Sequence, residues 1–200
     1  IDGGFADLHQ PYNWNLHAIE QTAKWPEYKE ILDKILDAIQ FMDAFGGLNS
    51  KTLGKIEFFT SHEGLHLKYE QALTREDKKC GGFYNLGAQM LWIGDRTRGI
   101  NDAHVEYFRG VKNPIGIKIS KNISAMELLE LLNVLNPDNQ KGRILLISRM
   151  GKEHISNQLP ALIKQIKSAD KHVTLTCDPM HGNTIITGGE LKTRHFEAIM

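Results

Sequence analysis

The sequence predicts an α/β fold built from parallel βα units, and three observations carry that prediction. First, four apolar runs each end in polar or charged residues. Met90-Leu91-Trp92-Ile93 stops at Gly94 and opens into Asp95, Arg96, Thr97 and Arg98; Ile115-Gly116-Ile117 leads to Lys118. Ile144-Leu145-Leu146-Ile147 leads to Ser148 and Arg149, and Val173-Thr174-Leu175-Thr176 leads to Cys177, Asp178, Pro179, Met180 and His181. A near-continuous apolar run is the mark of a parallel strand covered on both faces, and such sheets present polar groups at the carboxyl ends of their strands. Second, helical apolar periodicity fills the gaps between runs. Third, the strands recur at intervals of roughly 20 to 35 residues, the spacing of βα units. If the strands are parallel neighbours, their polar ends converge on one mouth.

Taken in order, residues 1–17 are rich in Gly, Asn, His and aromatics without a period and read as a loop, with Tyr12 and Trp14 as packing residues. Trp25 to about Phe45 reads as a helix. Tyr28, Ile31, Leu32, Ile35, Leu36, Ile39 and Met42 recur at helical spacing, and Gly46-Gly47 stops the run. Lys55–Thr60 reads as a short strand opening into Ser61-His62-Glu63-Gly64, followed by a helix over Leu65–Thr74. After the central stretch, a helix covers about Asn101–Gly110, and Asn113-Pro114 punctuates before the Ile115–Ile119 strand. Ser124 caps a helix over Ala125–Leu135 whose apolar stripe is Met126, Leu128, Leu129, Leu132 and Leu135. Glu127, three residues after Ser124, completes a capping box. A strand over Arg143–Arg149, a helix over Ile155–Ser168 and a strand over His172–Cys177 follow. Five βα units result. An open doubly wound sheet and an incomplete (β/α)8 barrel both fit them. No GxGxxG follows a first strand, which argues against dinucleotide binding.

Composition excludes several classes. The 200 residues have zero formal net charge, 41% hydrophobic and 24% charged content, ordinary for a globular protein and without a general nucleic-acid or membrane surface. No apolar run approaches the roughly 20 residues that span a bilayer. Cys80 and Cys177 lack CxxC spacing and read as reduced thiols of a cytoplasmic protein. No leader pattern precedes Gly3-Gly4-Phe5, and both ends are expected to be cuts within one larger catalytic domain.

The chemistry is expected at the strand ends. Arg96, Lys118 and Arg149 each alone read as surface cations, but three at corresponding ends suggest an anion site. His181, just past a strand among Gly and Pro, suits a divalent transition metal, and equally a structural histidine. Cys177 is expected to be buried towards the helices. Ser61-His62-Glu63 could line the mouth or could be a helix N-cap. Asp95 could orient an arginine, Trp92 is expected in the core, and Arg194 could meet a phosphate or solvent.

At this point the residues match something specific. FTSHEGLHLKYEQALTR (59–75), LWIGDRTR (91–98), AHVEYFRGVKNPIGIK (103–118), LNPDNQKGRILLISRMG (135–151), CDPMHGNT (177–184) and KTRHF (192–196), with GGFADL (3–8) and Trp14–Leu16, resemble class II 3-deoxy-D-arabino-heptulosonate 7-phosphate (DAHP) synthase, along essentially the whole chain. The resemblance implies a partial (β/α)8 TIM barrel containing its third to seventh strands, and a transferase that condenses phosphoenolpyruvate with erythrose 4-phosphate, releasing phosphate. This is the first step towards chorismate and the aromatic amino acids. It further implies that Asp95, Arg96, Lys118 and Arg149 hold phosphoenolpyruvate, that His181 is a ligand of Mn2+ or Co2+, and that the full-length protein is a cytoplasmic homo-oligomer. Other metal ligands would lie upstream and downstream, so the 200-residue stretch alone is expected to be inactive. Gln89, Asn101-Asp102 and Ser120 depart from the family pattern near the anion residues, without touching them. Two rivals remain: a catalytically dead barrel that senses phosphorylated metabolites, and another metal-dependent aldolase or lyase.

Overall fold

A computed structural model of the chain describes residues 16–44, 59–189 and 191–200. The loop expected up to residue 15, the Gly46-Gly47 stop and residues 55–58 of the first expected strand lie outside the described residues. The chain divides into two compact units, before and from Phe59.

In the first unit, α1 (His17–Glu20) precedes α2 (Trp25–Ala44). Leu16, Ile19 and Leu32 are buried, with Trp25 and Tyr28 packed against them. Pro26 is tolerated in the first turn of α2, where a missing N–H breaks no helical bond. Ile31, expected on the apolar stripe, is 55% exposed. The outer surface carries the short-range pairs Lys24–Glu27, Lys29–Asp33 and Lys34–Glu30.

The second unit is organised by five parallel strands in the order β1 (Ser61–Glu63), β4 (Met90–Ile93), β5 (Ile115–Ile119), β6 (Ile144–Ser148) and β7 (Thr174–Cys177). Helices α3 (Leu67–Leu73), α4 (Ala103–Gly110), α5 (Ala125–Leu135) and α6 (Lys152–Ser168) connect them. The sheet and its helices are those of a partial TIM barrel. Two small antiparallel pairs, unmarked by sequence pattern, complete the unit: β2 (Thr74–Glu76) with β3 (Phe83–Asn85), and β8 (Ile185–Ile186) with β9 (Lys192–Thr193). A 3-10 turn at His181–Asn183 and a short α7 (Phe196–Ile199) lie near the end.

Register explains the burial. Leu91, Ile93, Ile115, Ile117, Ile119, Ile144 and Leu146 occupy alternate positions and face the helices, each 0–1% exposed. They pack against Val105 and Phe108 of α4, Leu128, Leu131, Leu132 and Leu135 of α5, and Leu162 and Ile166 of α6. Within α5 the stripe differs from expectation at two positions: Met126 is 78% exposed and Leu131 is fully buried. Met126 lies in the first turn, five residues before Leu131, so the core-facing arc runs through Leu128 and Leu131 instead. The alternate positions Trp92, Gly116, Lys118 and Ile147 share the opposite face. A Cβ on Gly116 would stand 2.7 Å from Trp92 Cβ and 3.0 Å from Ile147 Cδ1, so only glycine lets those side chains close over it.

Strand and helix boundaries moved by a few residues. The first strand is Ser61–Glu63 itself, where a loop was expected, with Thr60 outside it. The reason is a bridge between two segments distant in sequence: Gln89 Oε1 accepts from Thr60 N at 2.8 Å and Thr60 Oγ1 at 2.7 Å, fixing Ser61 opposite Met90. Helix α6 begins at Lys152, three residues earlier than the periodicity suggests, and tolerates exposed Pro160 in its interior. Ser124 caps α5 as expected, its Oγ accepting from Glu127 N at 3.1 Å, while the Glu127 carboxylate turns to Arg98.

Two buried polar groups join elements. Glu70, 2% exposed, accepts from His62 Nε2 at 2.9 Å and Asn85 Nδ2 at 2.8 Å, and so ties α3 to β1 and β3. Arg143 donates to the carbonyls of Asn113, Phe108 and Val111, closing the connection from α4 to β5. Phe108 has no exposed surface and meets Tyr107 edge-on at 5.5 Å. Phe108→Ala should therefore lower stability by about 3–5 kcal/mol, the cost of removing a large buried ring. Chemical denaturation of the full-length protein would read this as a lower midpoint with an unchanged slope.

Candidate functional site

The polar groups gather where parallel register ends the strands at one level. Ile119 pairs with Ser148, and Ser148 with Cys177, so Ser120, Arg149 and Asp178 follow side by side. Backbone bonds tie the exits together: Arg149 N donates to Ile119 O at 2.8 Å, and Asp178 N to Ser148 O at 2.7 Å.

Asp95 anchors one half of the mouth. The chain turns after β4 through Thr97 N to Gly94 O at 3.1 Å, and this exposes the Asp95 carboxylate to three donors. Arg98 Nε donates at 3.2 Å, Ser120 N at 3.2 Å, and Arg149 Nη1 lies 4.0 Å away. Arg98, 8% exposed, also pairs with Glu127 at the start of α5. Arg149 Nε is buried and has no partner among the described residues. A buried donor left unmet is costly, so an anion reaching this guanidinium would gain a bond the protein does not make for itself.

Asp178 anchors the other half. Its side chain is 8% exposed, and Oδ2 accepts from Lys118 Nζ and, at 2.7 Å, meets His181 Nδ1. Oδ1 accepts from Met180 N at 3.0 Å and His181 N at 3.2 Å. Burial opposes ionisation of this carboxyl, but the Lys118 amine, the two N–H groups and the His181 ring outweigh it and hold its pKa well below the usual carboxylate range. Lys118 Nζ also stands 5.7 Å from the centre of the Trp92 ring, a cation–π contact.

The two halves meet at a glycine crossing. A Cβ on Gly151 (φ +78°) would lie 2.4 Å from Gly182 O, and one on Gly182 would lie 2.3 Å from Gly151 N. The loops after β6 and β7 therefore touch backbone to backbone. A cavity of about 620 Å³ opens here, lined by Asp95, Ser120, Arg149, His181 and His195 among others. A larger cavity of about 1100 Å³ opens at the other ends of the strands, beside Thr60, Gln89 and Pro114; it takes in Ser61, but none of Asp95, Arg96, Lys118, Arg149 and His181.

Asp95, Arg149 and His181 are thus brought to one cavity, and Lys118 joins them through Asp178. Arg96 is exposed and makes no hydrogen bond or ion pair among the described residues. Several expectations change. His62 points to Glu70 in the helix layer instead of the mouth, because Ser61–Glu63 is a strand and alternation turns its middle residue outwards. Trp92 is half-buried and shares the Lys118 face. Cys177 falls on the helix-facing register, level with Ser148, yet is exposed because no described helix covers β7 there. Arg194 Nε donates to Met180 O at 3.1 Å and so braces the loop that carries His181. Gln89 lies at the far strand ends, whereas Ser120 does touch Asp95 through its N–H. Sequence reasoning missed Asp178, Arg98 and Glu127 as partners. The usable signal for Asp178 was its position directly after a strand, between two expected site residues in space.

The donor set suits a metal ion only in part. A carboxylate accepts hydrogen bonds and donates none, so in its neutral form the His181 ring would carry its proton on Nδ1 and leave the Nε2 lone pair free, as a ligating imidazole requires. Among the described residues there is no group of three or more His, Cys, Asp or Glu placed to hold a metal ion. No described helix is long and apolar enough to cross a membrane.

Known proteins are similar to this chain in sequence. A probable phospho-2-dehydro-3-deoxyheptonate aldolase, chloroplastic, of Catharanthus roseus is 48% identical over 187 residues, covering 93% of this chain and 38% of the relative. A phospho-2-dehydro-3-deoxyheptonate aldolase of Neurospora crassa is 42% identical over 217 residues, covering 100% of this chain and 45% of that protein. One from Streptomyces coelicolor is 38% identical over 198 residues, covering 99% and 44% respectively. The chain spans less than half the length of each of these curated relatives. The model of the class-II DAHP synthetase family matches residues 1–200, and the chain belongs to that family.

Proposed function

We propose that the protein containing this chain condenses phosphoenolpyruvate with erythrose 4-phosphate, yielding 3-deoxy-D-arabino-heptulosonate 7-phosphate and phosphate, the first step towards chorismate and the aromatic amino acids. The observation that carries the reading is Arg149: a guanidinium at the shared mouth, beside Asp95, with a buried Nε that has no partner among the described residues.

Lys118 and Arg149 come from neighbouring strands and offer a point charge and a planar fork, a pairing suited to one small molecule bearing both phosphate and carboxylate. Asp95 and Asp178 hold these cations in place before substrate arrives, so little reorganisation is needed on binding. Arg96 is exposed and has no partner among the described residues, so it is free to turn towards the same small anion. His181 would contribute one ligand to a divalent metal, Mn2+ or Co2+, which when bound supplies Lewis acidity towards the aldehyde of the second substrate. With His181 as its candidate ligand and no larger cluster among the described residues, the 200-residue stretch alone is expected not to turn over. The free thiols Cys80 and Cys177 support a reducing compartment, the cytoplasm in this proposal.

Arg149→Ala in the full-length protein should weaken phosphoenolpyruvate binding by about 1.5–3 kcal/mol, the loss of a charged hydrogen bond. Titration calorimetry would measure it, and an unchanged affinity and turnover would remove Arg149 from the site. Turnover itself is tested by heptulosonate phosphate formation in the presence of Mn2+. Binding of phosphoenolpyruvate without product would favour the metabolite-sensing barrel. Product formed from pyruvate in its place would favour a different aldolase.

A further inference from the structure

Asp178 bonds to both kinds of group that the proposed reaction needs. Its Oδ2 takes the Lys118 amine from β5 and the His181 Nδ1 from the following turn, while Oδ1 is occupied by the Met180 and His181 N–H groups. The carboxylate is almost fully buried, at 8% side-chain exposure, whereas the His181 ring it holds is 57% exposed. The buried partner is fixed and the open ring is aimed by it. Its own backbone is anchored too, through Asp178 N to Ser148 O at 2.7 Å.

We infer that Asp178 is a positioning residue that sets Lys118 and His181 together, so that the anion-binding amine and the metal-facing imidazole depend on one carboxylate. The inference rests on the proposed roles of Lys118 and His181. Two physical consequences follow. Because a carboxylate can only accept, it locks the imidazole in the form whose Nε2 lone pair points away from Asp178. Because the same oxygen serves Lys118, the amine is held on the Trp92 side of the sheet and not left to sweep the mouth. An asparagine would break the first constraint, since its amide can donate to or accept from Nδ1 and so permits either tautomer. It would also remove the charge that holds Lys118. Asp178 touches neither substrate nor metal in this account; it acts through the two residues it binds.

The test uses the full-length protein stripped of metal, with Mn2+ as the probe. Free Mn2+ is followed by electron paramagnetic resonance, and phosphoenolpyruvate binding to the metal-free protein by calorimetry. Asp178→Asn is expected to weaken Mn2+ binding by about 10- to 100-fold, the usual cost of losing a partner of a ligating histidine, and to weaken phosphoenolpyruvate binding without metal present. Lys118→Met should lose phosphoenolpyruvate binding and keep Mn2+ affinity. A merely structural Asp178 would lower the melting temperature and leave both affinities of the folded protein unchanged, which overturns the inference. If Asp178→Asn does not fold, Asp178→Glu takes its place. Its carboxylate sits one methylene further out, and it too should weaken both ligands; wild-type affinities would overturn the inference. The underlying reading is separated by His181→Ala. If that variant binds Mn2+ like the wild type, His181 is not a ligand and this inference falls with it. If His181→Ala loses Mn2+ while Asp178→Asn keeps it, the ligand assignment stands and the Asp178 inference alone is wrong.

Discussion

The helix-facing row of isoleucine and leucine side chains is the constraint on which the rest depends. Leu91, Ile93, Ile115, Ile117, Ile119, Ile144 and Leu146 have almost no exposed surface, and they can stay buried in only one pairing register. A slip by one residue would turn each of them to the opposite face and carry Lys118 into the helix layer. The hydrophobic effect therefore does more than hold the sheet to its helices. It levels the carboxyl ends of β4 to β7 and so delivers Asp95, Ser120, Arg149 and Asp178 to one rim.

What happens at that rim is a matter of charge held in balance. Two carboxylates each restrain a cation from two strands away, Asp95 with Arg149 and Asp178 with Lys118. Bringing such groups together half-buried is expensive unless each has partners, and backbone N–H groups from Ser120, Met180 and His181 supply them.

Much of this was legible in the sequence, for a physical reason. Strands buried on both faces leave uninterrupted apolar runs, so the Ile115–Ile119 and Ile144–Ser148 strands and their polar exits could be read directly. Helix α5 was legible through Ser124 and its cap. The parts that were not legible depend on pairings distant in sequence. Ser61–Glu63 becomes a strand because Gln89 pins Thr60, 29 residues away. Cys177 sits in a helix-facing register yet stays open, because burial depends on what lies over a strand and not on the strand's own pattern. Asp178 is followed by a proline and reads as loop chemistry; only the fold brings Lys118, 60 residues earlier, onto its carboxylate.

The crossing of Gly151 and Gly182 has a consequence for how this rim can vary. Because main chain rests on main chain there, the span between the arginine-bearing exit and the histidine-bearing turn is fixed by atoms common to every residue. Surrounding side chains are free to drift over generations without altering that spacing. A single methyl group at either glycine would act as a wedge, parting the two loops however well every other residue was kept.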